Sequence, residues 1–327
     1  MTMVKARAHP NIALVKYWGK RDASLNLPFA DSISLTLSPF VTETSLRFSA
    51  ALKEDVWTVN GERLGPMRAA PLSAFLDLFR QRAGTAMRAE GHSSNSFPTA
   101  AGLASSSSAF AALSLAADAA LGLHLSRQEL SAMARRGSGS ATRSLHGGYV
   151  EWRAGSDPLG RDSFAIPLAP ASHWPLSVLV AVVDDAPKSI SSREAMARAV
   201  ATSGMFPAWI EIARRDCDPV RDAIRHRSLD RLGPLIERNC LAMCATQWTS
   251  DPPVMYWKPA TIAILGEVER MRTRGIRAYF TMDAGPNVKV LVEADDREAA
   301  AECLSRVPGV KRVIEGSIGG PACLIHP

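Results

Sequence analysis

The 327-residue sequence lacks the features that mark several large protein classes. Its longest apolar run, WPLSVLVAVV from Trp174 to Val183, is about half of the ~20 residues a membrane helix needs. That run reads as a buried strand. Met1 to Pro10 has no apolar core of the signal-peptide kind. The five cysteines (Cys217, Cys240, Cys244, Cys303, Cys323) are odd in number and show no CxxC spacing, which argues against a disulfide framework. Cys240 and Cys244 share a helix face, and no histidine is placed to complete a metal site, so both are expected to be core thiols. Together these absences predict a reduced, cytoplasmic protein with no membrane partner. There is no basic run and there are only four tyrosines, which argues against a nucleic-acid partner. The sequence also has no GxxxxGKS/T segment, which excludes a Walker A loop.

What is present is a hydrophobic content of 46%, enough for a large core in one big domain or two fused lobes. A formal charge of +6 and a pI near 9.2 favour an anionic partner. The N-terminal part is strand-rich: Thr44 to Phe48 and Val56 to Val59 alternate, and Asn60-Gly61 is a hairpin turn signal. A helix is expected from Pro71 to Arg82. A second, from Phe110 to Leu121, is rich in Ala and Leu and ends at Gly122. SRQE (Ser126 to Glu129) reads as a capping box opening a helix to about Arg136, and a strand begins at Gly147. After DDAP (Asp184 to Pro187) helices are expected at 192–203, 206–215, 218–226, 232–247 and 259–274. Strands 276–282 and 288–293 bracket DAGPN (Asp283 to Asn287), and a helix at 295–306 and a strand at 311–315 close the chain. Strands followed by helices in two blocks predict an α+β protein of two lobes, 1–185 and 186–327.

The segment SNSFPTAAGLASSSSA, from Ser94 to Ala109, can be read in two ways. One is a Gly/Ser linker. The other is a phosphate loop at a helix start, where free N–H groups and the helix dipole attract anions and small residues allow close backbone approach. Phe97 and Pro98 before it, and the direct entry into an apolar helix, favour the second.

PTAAGLASSSS (Pro98 to Ser108) resembles the ATP loop of the GHMP kinase superfamily, in the wording of its diphosphomevalonate decarboxylase branch. NIALVKYWGKR (Asn11 to Arg21), GSGSATRSLHGG (Gly137 to Gly148), SSREAM (Ser191 to Met196) and DAGPN resemble that branch too, in family order over nearly the whole chain. SISLTL (Ser32 to Leu37) and DPPVMYW (Asp251 to Trp257) carry a weaker likeness. The resemblance implies the superfamily's two-lobed fold, with an N-terminal lobe like the ribosomal protein S5 domain 2-like fold and a C-terminal ferredoxin-like α/β sandwich. It implies ATP and Mg²⁺ as cofactors, a homodimer, and ATP-dependent decarboxylation of 5-diphosphomevalonate through 3-phosphorylation.

It also implies roles for particular residues. Asp283 is the general base or orienting carboxylate for the 3-hydroxyl. Arg143 grips the substrate carboxylate, and Lys16 lies close to the reacting hydroxyl. Tyr17 and Lys20 contact the diphosphate, Asn11 is a polar contact, and Ser138, Gly139 and Ser140 meet the 5-phosphate end. Ser192 is either a substrate contact or part of a helix N-cap, as Ser191 and Arg193 also could be. ATP falls to Ser94, Asn95, Pro98, Ala101, Gly102, Leu103, Ala104, Ser105, Ser106 and Ser107. Ser105 and Ser106, nearest Gly102, are the implied Mg²⁺ ligands. Read without the resemblance, Asp283 is an ordinary turn residue, Arg143 a surface cap, and Lys16 to Lys20 a strand edge presenting cations.

The sequence departs from the family pattern at Ala30-Asp31-Ser32 and at Ala195. A carboxylate at Asp31 suits a phosphate-rich site only if it pairs with a cation or faces away. The rival expectations are a 5-monophosphate substrate, phosphorylation of the 3-hydroxyl without decarboxylation, and a catalytically silent binding protein on the same scaffold.

Overall fold

The computed structural model of the chain describes residues 2–97, 105–186 and 188–325. Two sheets organise it. The first runs in the order Cys323–Ile325, Val4–Ala8, Thr42–Ser49, Arg88–Asn95, Val56–Val59, Glu62–Arg63. The helix Ser105–Leu121 lies against it and packs Ala111, Ala112, Ala116 and Ala117 among Ala6, Ala8, Leu46 and Phe48. Small residues on both sides let helix and sheet approach closely.

The second sheet runs Ala165–Ala169, Tyr149–Trp152, Ser32–Ser38, Arg312–Ile318, Ser177–Val182, Val288–Val292, Ala278–Thr281, and Asn11–Val15 also pairs with Ser32–Ser38. The two halves of the chain are joined here, through Ser317 and Ile318 opposite Ser38 and Leu37. The strand Ser177–Val182 precedes the expected division at 185, yet pairs on both sides with strands of the C-terminal half. The helices Phe206–Arg225 and Leu229–Trp248 contribute Val220, Ile224, Leu232 and Ile236 to one core with Ile12, Val178 and Val180. Pro259–Thr273 and Arg297–Ser305 contribute Ile264, Val268 and Leu304 to another with Val288, Val290 and Val292. The expected α+β, two-lobed architecture is what is found.

The helix boundaries expected at prolines are corrected. The helix expected from Pro71 starts at Pro66, with Pro71 inside it. The two helices expected at 206–215 and 218–226 are one helix, Phe206–Arg225, that carries Pro219 within it. The helix expected at 232–247, with Pro234 inside it, forms as Leu229–Trp248. Proline removes one N–H and crowds the preceding turn, but packing of the apolar face outweighs that local cost. The hairpin at Asn60-Gly61 forms as expected, with both residues at positive φ (49° and 82°). SRQE forms the expected capping box, Ser126 with Glu129. No helix among the described residues is long and apolar enough to cross a membrane.

Candidate functional site

The strand Asn11–Val15 is buried along its whole length and delivers the chain to the junction of the two lobes. It ends at Val15, and Lys16 to Gly19 leave the sheet. The strand-edge reading is therefore corrected for Lys16 to Gly19, while Lys20 opens the short strand Lys20–Asp22. The Lys16 backbone N–H donates to Asn239 Oδ1 at 2.8 Å, and its ammonium, only 1% exposed, donates to the Ala13 carbonyl at 2.7 Å. Opposite it, the DAGPN turn joins two paired strands. The Asn287 side chain ties that turn down, accepting from Val183 and Asp184 N–H groups and donating to the Asp184 carbonyl. Thr261 Oγ1 donates to the Pro286 carbonyl at 2.8 Å. Asp283 is thus presented on a rigid turn.

The Asp283 carboxylate is held by two ammonium groups: Lys16 Nζ is 3.0 Å from Oδ1 and Lys289 Nζ is 3.3 Å from Oδ2. Burial alone would raise its pKa, but the charges and hydrogen bonds of both lysines outweigh burial and hold the carboxyl well below the usual carboxylate range.

Arg143 lies on a short buried helix, Ala141–Ser144, and is 2% exposed, so the surface-cap reading fails. Its Nε and Nη2 donate to Asn11 Oδ1 at 3.2 and 3.1 Å, and Nη1 donates to Ser32 Oγ. All of these acceptors are neutral. Burial pushes the guanidinium down to about 10, against the raising effect of the Asp283 charge. Asn11 also donates to the Ser140 carbonyl and to Ser144 Oγ, so its polar capacity goes into fixing Arg143.

These residues border one cavity of about 390 Å³, lined by Asn11, Lys16, Tyr17, Lys20, Ser106, Ser138, Gly139, Ser140, Arg143, Ser192 and Asp283 together with Lys188 and Arg193. The Tyr17 hydroxyl is buried and has no hydrogen-bond partner among the described residues. A Cβ at Gly139 would lie 2.7 Å from the Tyr17 ring and hydroxyl, so only glycine leaves room for that side chain. Lys20 donates to Asn26 Oδ1 at 2.5 Å, and burial, helped by the neighbouring Arg193, lowers its ammonium to about 8. Ser191 is the N-cap of the helix Ser192–Thr202 and forms a capping box with Glu194, while Ser192 and Arg193 face the cavity. The N-cap reading therefore holds for Ser191, and Ser192 and Arg193 stand at the cavity wall.

The serine segment divides. Pro98, Ala101, Gly102, Leu103 and Ala104 lie outside the described residues. Ser105 and Ser106 open the helix; Ser106 borders the main cavity, and both line a second, more apolar cavity of about 220 Å³ with Trp57, Asn95 and Phe110. Ser107 is buried on the inner side of the helix. Ser94 is not brought to either cavity: strand alternation turns it toward a shallow depression with Glu43 and His92. Asp31 faces away from the main cavity and accepts the Ala154 N–H at 2.7 Å.

Sequence reasoning missed Lys188, Lys289 and Trp57. Lys289 had a signal, a lone charge in the apolar strand VKVLV, where a buried ammonium requires a partner. Trp57 had a weaker one, because the ring covers Gly91, where a Cβ would lie 2.2 Å from it.

Residues 8–165 match the diphosphomevalonate decarboxylase-like N-terminal domain, and residues 178–319 match the mevalonate 5-diphosphate decarboxylase C-terminal domain. The chain belongs to the diphosphomevalonate decarboxylase family. Diphosphomevalonate decarboxylase of Candida albicans is 35% identical over 98% of each chain. Phosphomevalonate decarboxylase of Haloferax volcanii is 34% identical over 97% of this chain and 96% of its own. Among solved structures, the mevalonate diphosphate decarboxylase from Enterococcus faecalis, studied for mevalonate diphosphate-mediated ATP binding, superposes with a TM-score of 0.92 and 42% identity over 99% of both chains. A complex of MDDEF with MVAPP, AMPPCP and magnesium superposes with a TM-score of 0.93 at the same identity and coverage.

Proposed function

We propose that this protein is an ATP- and Mg²⁺-dependent decarboxylase of 5-diphosphomevalonate that forms isopentenyl diphosphate. The observation that carries this reading is a buried guanidinium, Arg143, that makes no ion pair among the described residues, beside an ionised, doubly held carboxylate, Asp283, in one cation-rich cavity. A tertiary 3-hydroxyl is a poor leaving group, and phosphorylation makes it a good one. Asp283 accepts the hydrogen bond of that hydroxyl and aims its oxygen at the γ-phosphate of ATP. A carboxylate held so far down is a weak base, which suits a loose phosphoryl-transfer transition state, where positioning and charge matter more than early proton removal. Lys16, beside Asp283, faces the developing charge.

In the second half of the reaction the C3–O bond breaks and its electron pair leaves with phosphate. The bond between the carboxylate carbon and C2 breaks, and its pair forms the C2–C3 double bond as CO₂ departs. Arg143 holds the carboxylate in line for that collapse. ATP and substrate thus yield ADP, phosphate, CO₂ and the isopentenyl product. Tyr17, Lys20, Ser138, Gly139, Ser140, Ser192, Lys188 and Arg193 hold phosphate oxygens of substrate and nucleotide. The smaller cavity around Trp57 and Asn95 takes the nucleotide base, and Ser105 and Ser106 at the start of the helix Ser105–Leu121 meet its phosphates. Bound Mg²⁺ neutralises phosphate charge; the hydroxyls of Ser105 and Ser106 at the helix start suit a cation that keeps most of its ligands as water and phosphate. Ser94 drops out of this assignment.

A 5-monophosphate substrate is the second reading, favoured by the Haloferax volcanii relative. The number of donors at the Tyr17–Lys20 end favours the diphosphate. A homodimer in the cytoplasm completes the proposal; exposed Met255 and Ile262 offer apolar surface for such contact, and light scattering on the purified protein tests it. The functional test offers mevalonate, its 5-phosphate and its 5-diphosphate separately, with ATP and Mg²⁺, and follows ADP and CO₂. Equal amounts of both from the diphosphate support the proposal. ADP without CO₂ would make the protein a 3-kinase, and turnover of the monophosphate alone would move the specificity.

A further inference from the structure

Lys289 stands on the strand Val288–Val292, between Val288 and Val290, and is 2% exposed. Burying an ammonium costs several kcal/mol unless an anion meets it. The only ion pair it makes among the described residues is with Asp283. It does not border the cavity, so substrate binding does not explain it. Lys16, by contrast, borders the cavity and holds the other oxygen of the same carboxylate.

We infer that Lys289 is a positioning residue for the proposed reaction: it fixes the Asp283 carboxylate from beneath, on the oxygen Lys16 leaves free. The inference rests on the catalytic reading of Asp283. The charged and titratable groups around that carboxylate are Lys16 after the strand Asn11–Val15, Lys289, Arg143 on its short helix, Lys188 ahead of the helix Ser192–Thr202, and Cys240 on the helix Leu229–Trp248. Arg143 and Lys188 are spoken for once anionic ligands fill the cavity. Lys16 meets the same ligands. Lys289, set back from the cavity and ion-paired among the described residues with Asp283 alone, keeps that attraction through the cycle. It therefore keeps Asp283 ionised while phosphate charge gathers nearby, a condition that would otherwise favour protonation.

The test compares wild type with Lys289→Met, Lys289→Gln and Lys289→Arg. Carboxyl-¹³C-aspartate labelling, with the Asp283 resonance assigned by its loss in Asp283→Asn, gives the titration midpoint without any turnover. The midpoint should rise in Lys289→Gln, which keeps a hydrogen bond but no charge, and stay near wild type in Lys289→Arg. In kinetics, kcat should fall about tenfold or more for the Gln and Met variants, with KM for both substrates within about twofold. The variant-to-wild-type kcat ratio should fall further on the acid side of the pH profile, because the carboxyl protonates earlier than in wild type as pH is lowered. An unchanged Asp283 midpoint in Lys289→Gln overturns the inference. A wild type without turnover would sink the functional reading and leave the titration result standing. If Lys289→Met does not fold, the Gln and Arg pair still decides.

Discussion

Two buried arginines show how this molecule uses charge. Arg80, in the N-terminal lobe, is closed within the fold: it pairs with Asp55, itself 2% exposed, and with Asp77, and its Nε donates to the Met87 carbonyl. Arg143 is as deeply buried, but its hydrogen bonds go only to the neutral oxygens of Asn11 and Ser32, and it faces a cavity. A buried charge whose partner is internal is an element of structure. A buried charge whose partner is missing is an instruction about the ligand, since leaving it uncompensated is costly. Asp283 lies between these cases, with its cations supplied by the protein and one side open to the cavity.

The difference can be broken at several points. The largest effect should come from Asp283→Asn, which leaves Lys16 and Lys289 without their anion and removes the acceptor for the hydroxyl. Turnover should fall by roughly 10²–10⁴-fold while ATP still binds, as steady-state rates and nucleotide-dependent thermal stabilisation would report. Retained turnover would show that Asp283 only shapes the loop.

The two arginines should then separate stability from activity. Arg80→Met strands Asp55 and should cost about 3–5 kcal/mol of stability, with kcat unchanged wherever the protein remains folded. Arg143→Met removes a cation that had no counter-ion, so denaturant unfolding should move by no more than about 1 kcal/mol, yet kcat/KM should fall by ~30-fold or more, the lower end of losing a desolvated charge pair. The reverse pattern would mean that Arg143 is structural.

Smaller changes sharpen the diphosphate end of the cleft. Gly139→Ala should push Tyr17 aside, at a cost of about 1–3 kcal/mol in overpacking, and raise KM for the diphosphate substrate without affecting KM for ATP. Tyr17→Phe, which removes one hydroxyl, should cost no more than about 0.5–1.5 kcal/mol in binding.

The smallest effect concerns pH. Lys20, lowered to about 8 by burial and Arg193, is protonated below that value and loses its charge above it. Affinity for the phosphorylated substrate should therefore be full below pH 8 and weaken as pH rises through it. Lys20→Arg should flatten that dependence in a calorimetric titration.

Much of the site was legible in the sequence because its residues cluster in short, distinctive segments: Asn11 to Lys20, Ser138 to Arg143, and DAGPN. What those segments could not convey was pairing across the fold. That Lys16 and Lys289, 273 positions apart in the numbering, meet on one carboxylate follows from the junction of the two halves at Ile318 and Leu37, which no local pattern encodes. The strand-edge reading of Lys16 failed for the same reason, since the ammonium turns inward to the Ala13 carbonyl and Asp283, while Asn239 holds the backbone N–H. Fold class was readable from the alternation of strands and helices. Helix limits were not, where Pro71 and Pro219 sat inside helices that tertiary packing sustains. Ser94 shows the limit of a contiguous motif: one strand residue away from Asn95, it points to the opposite face.

The most direct test of the missing counter-ion is a double-mutant cycle between Arg143 and the substrate carboxylate. Calorimetry would compare 5-diphosphomevalonate with 3-hydroxy-3-methylbutyl diphosphate, which keeps the 3-hydroxyl and lacks the carboxylate, on wild type and on Arg143→Met. If the carboxylate is the partner of Arg143, its removal weakens binding strongly in wild type and little in the variant, a coupling of about 1.5 kcal/mol or more. Equal effects of carboxylate removal on both proteins would contradict it.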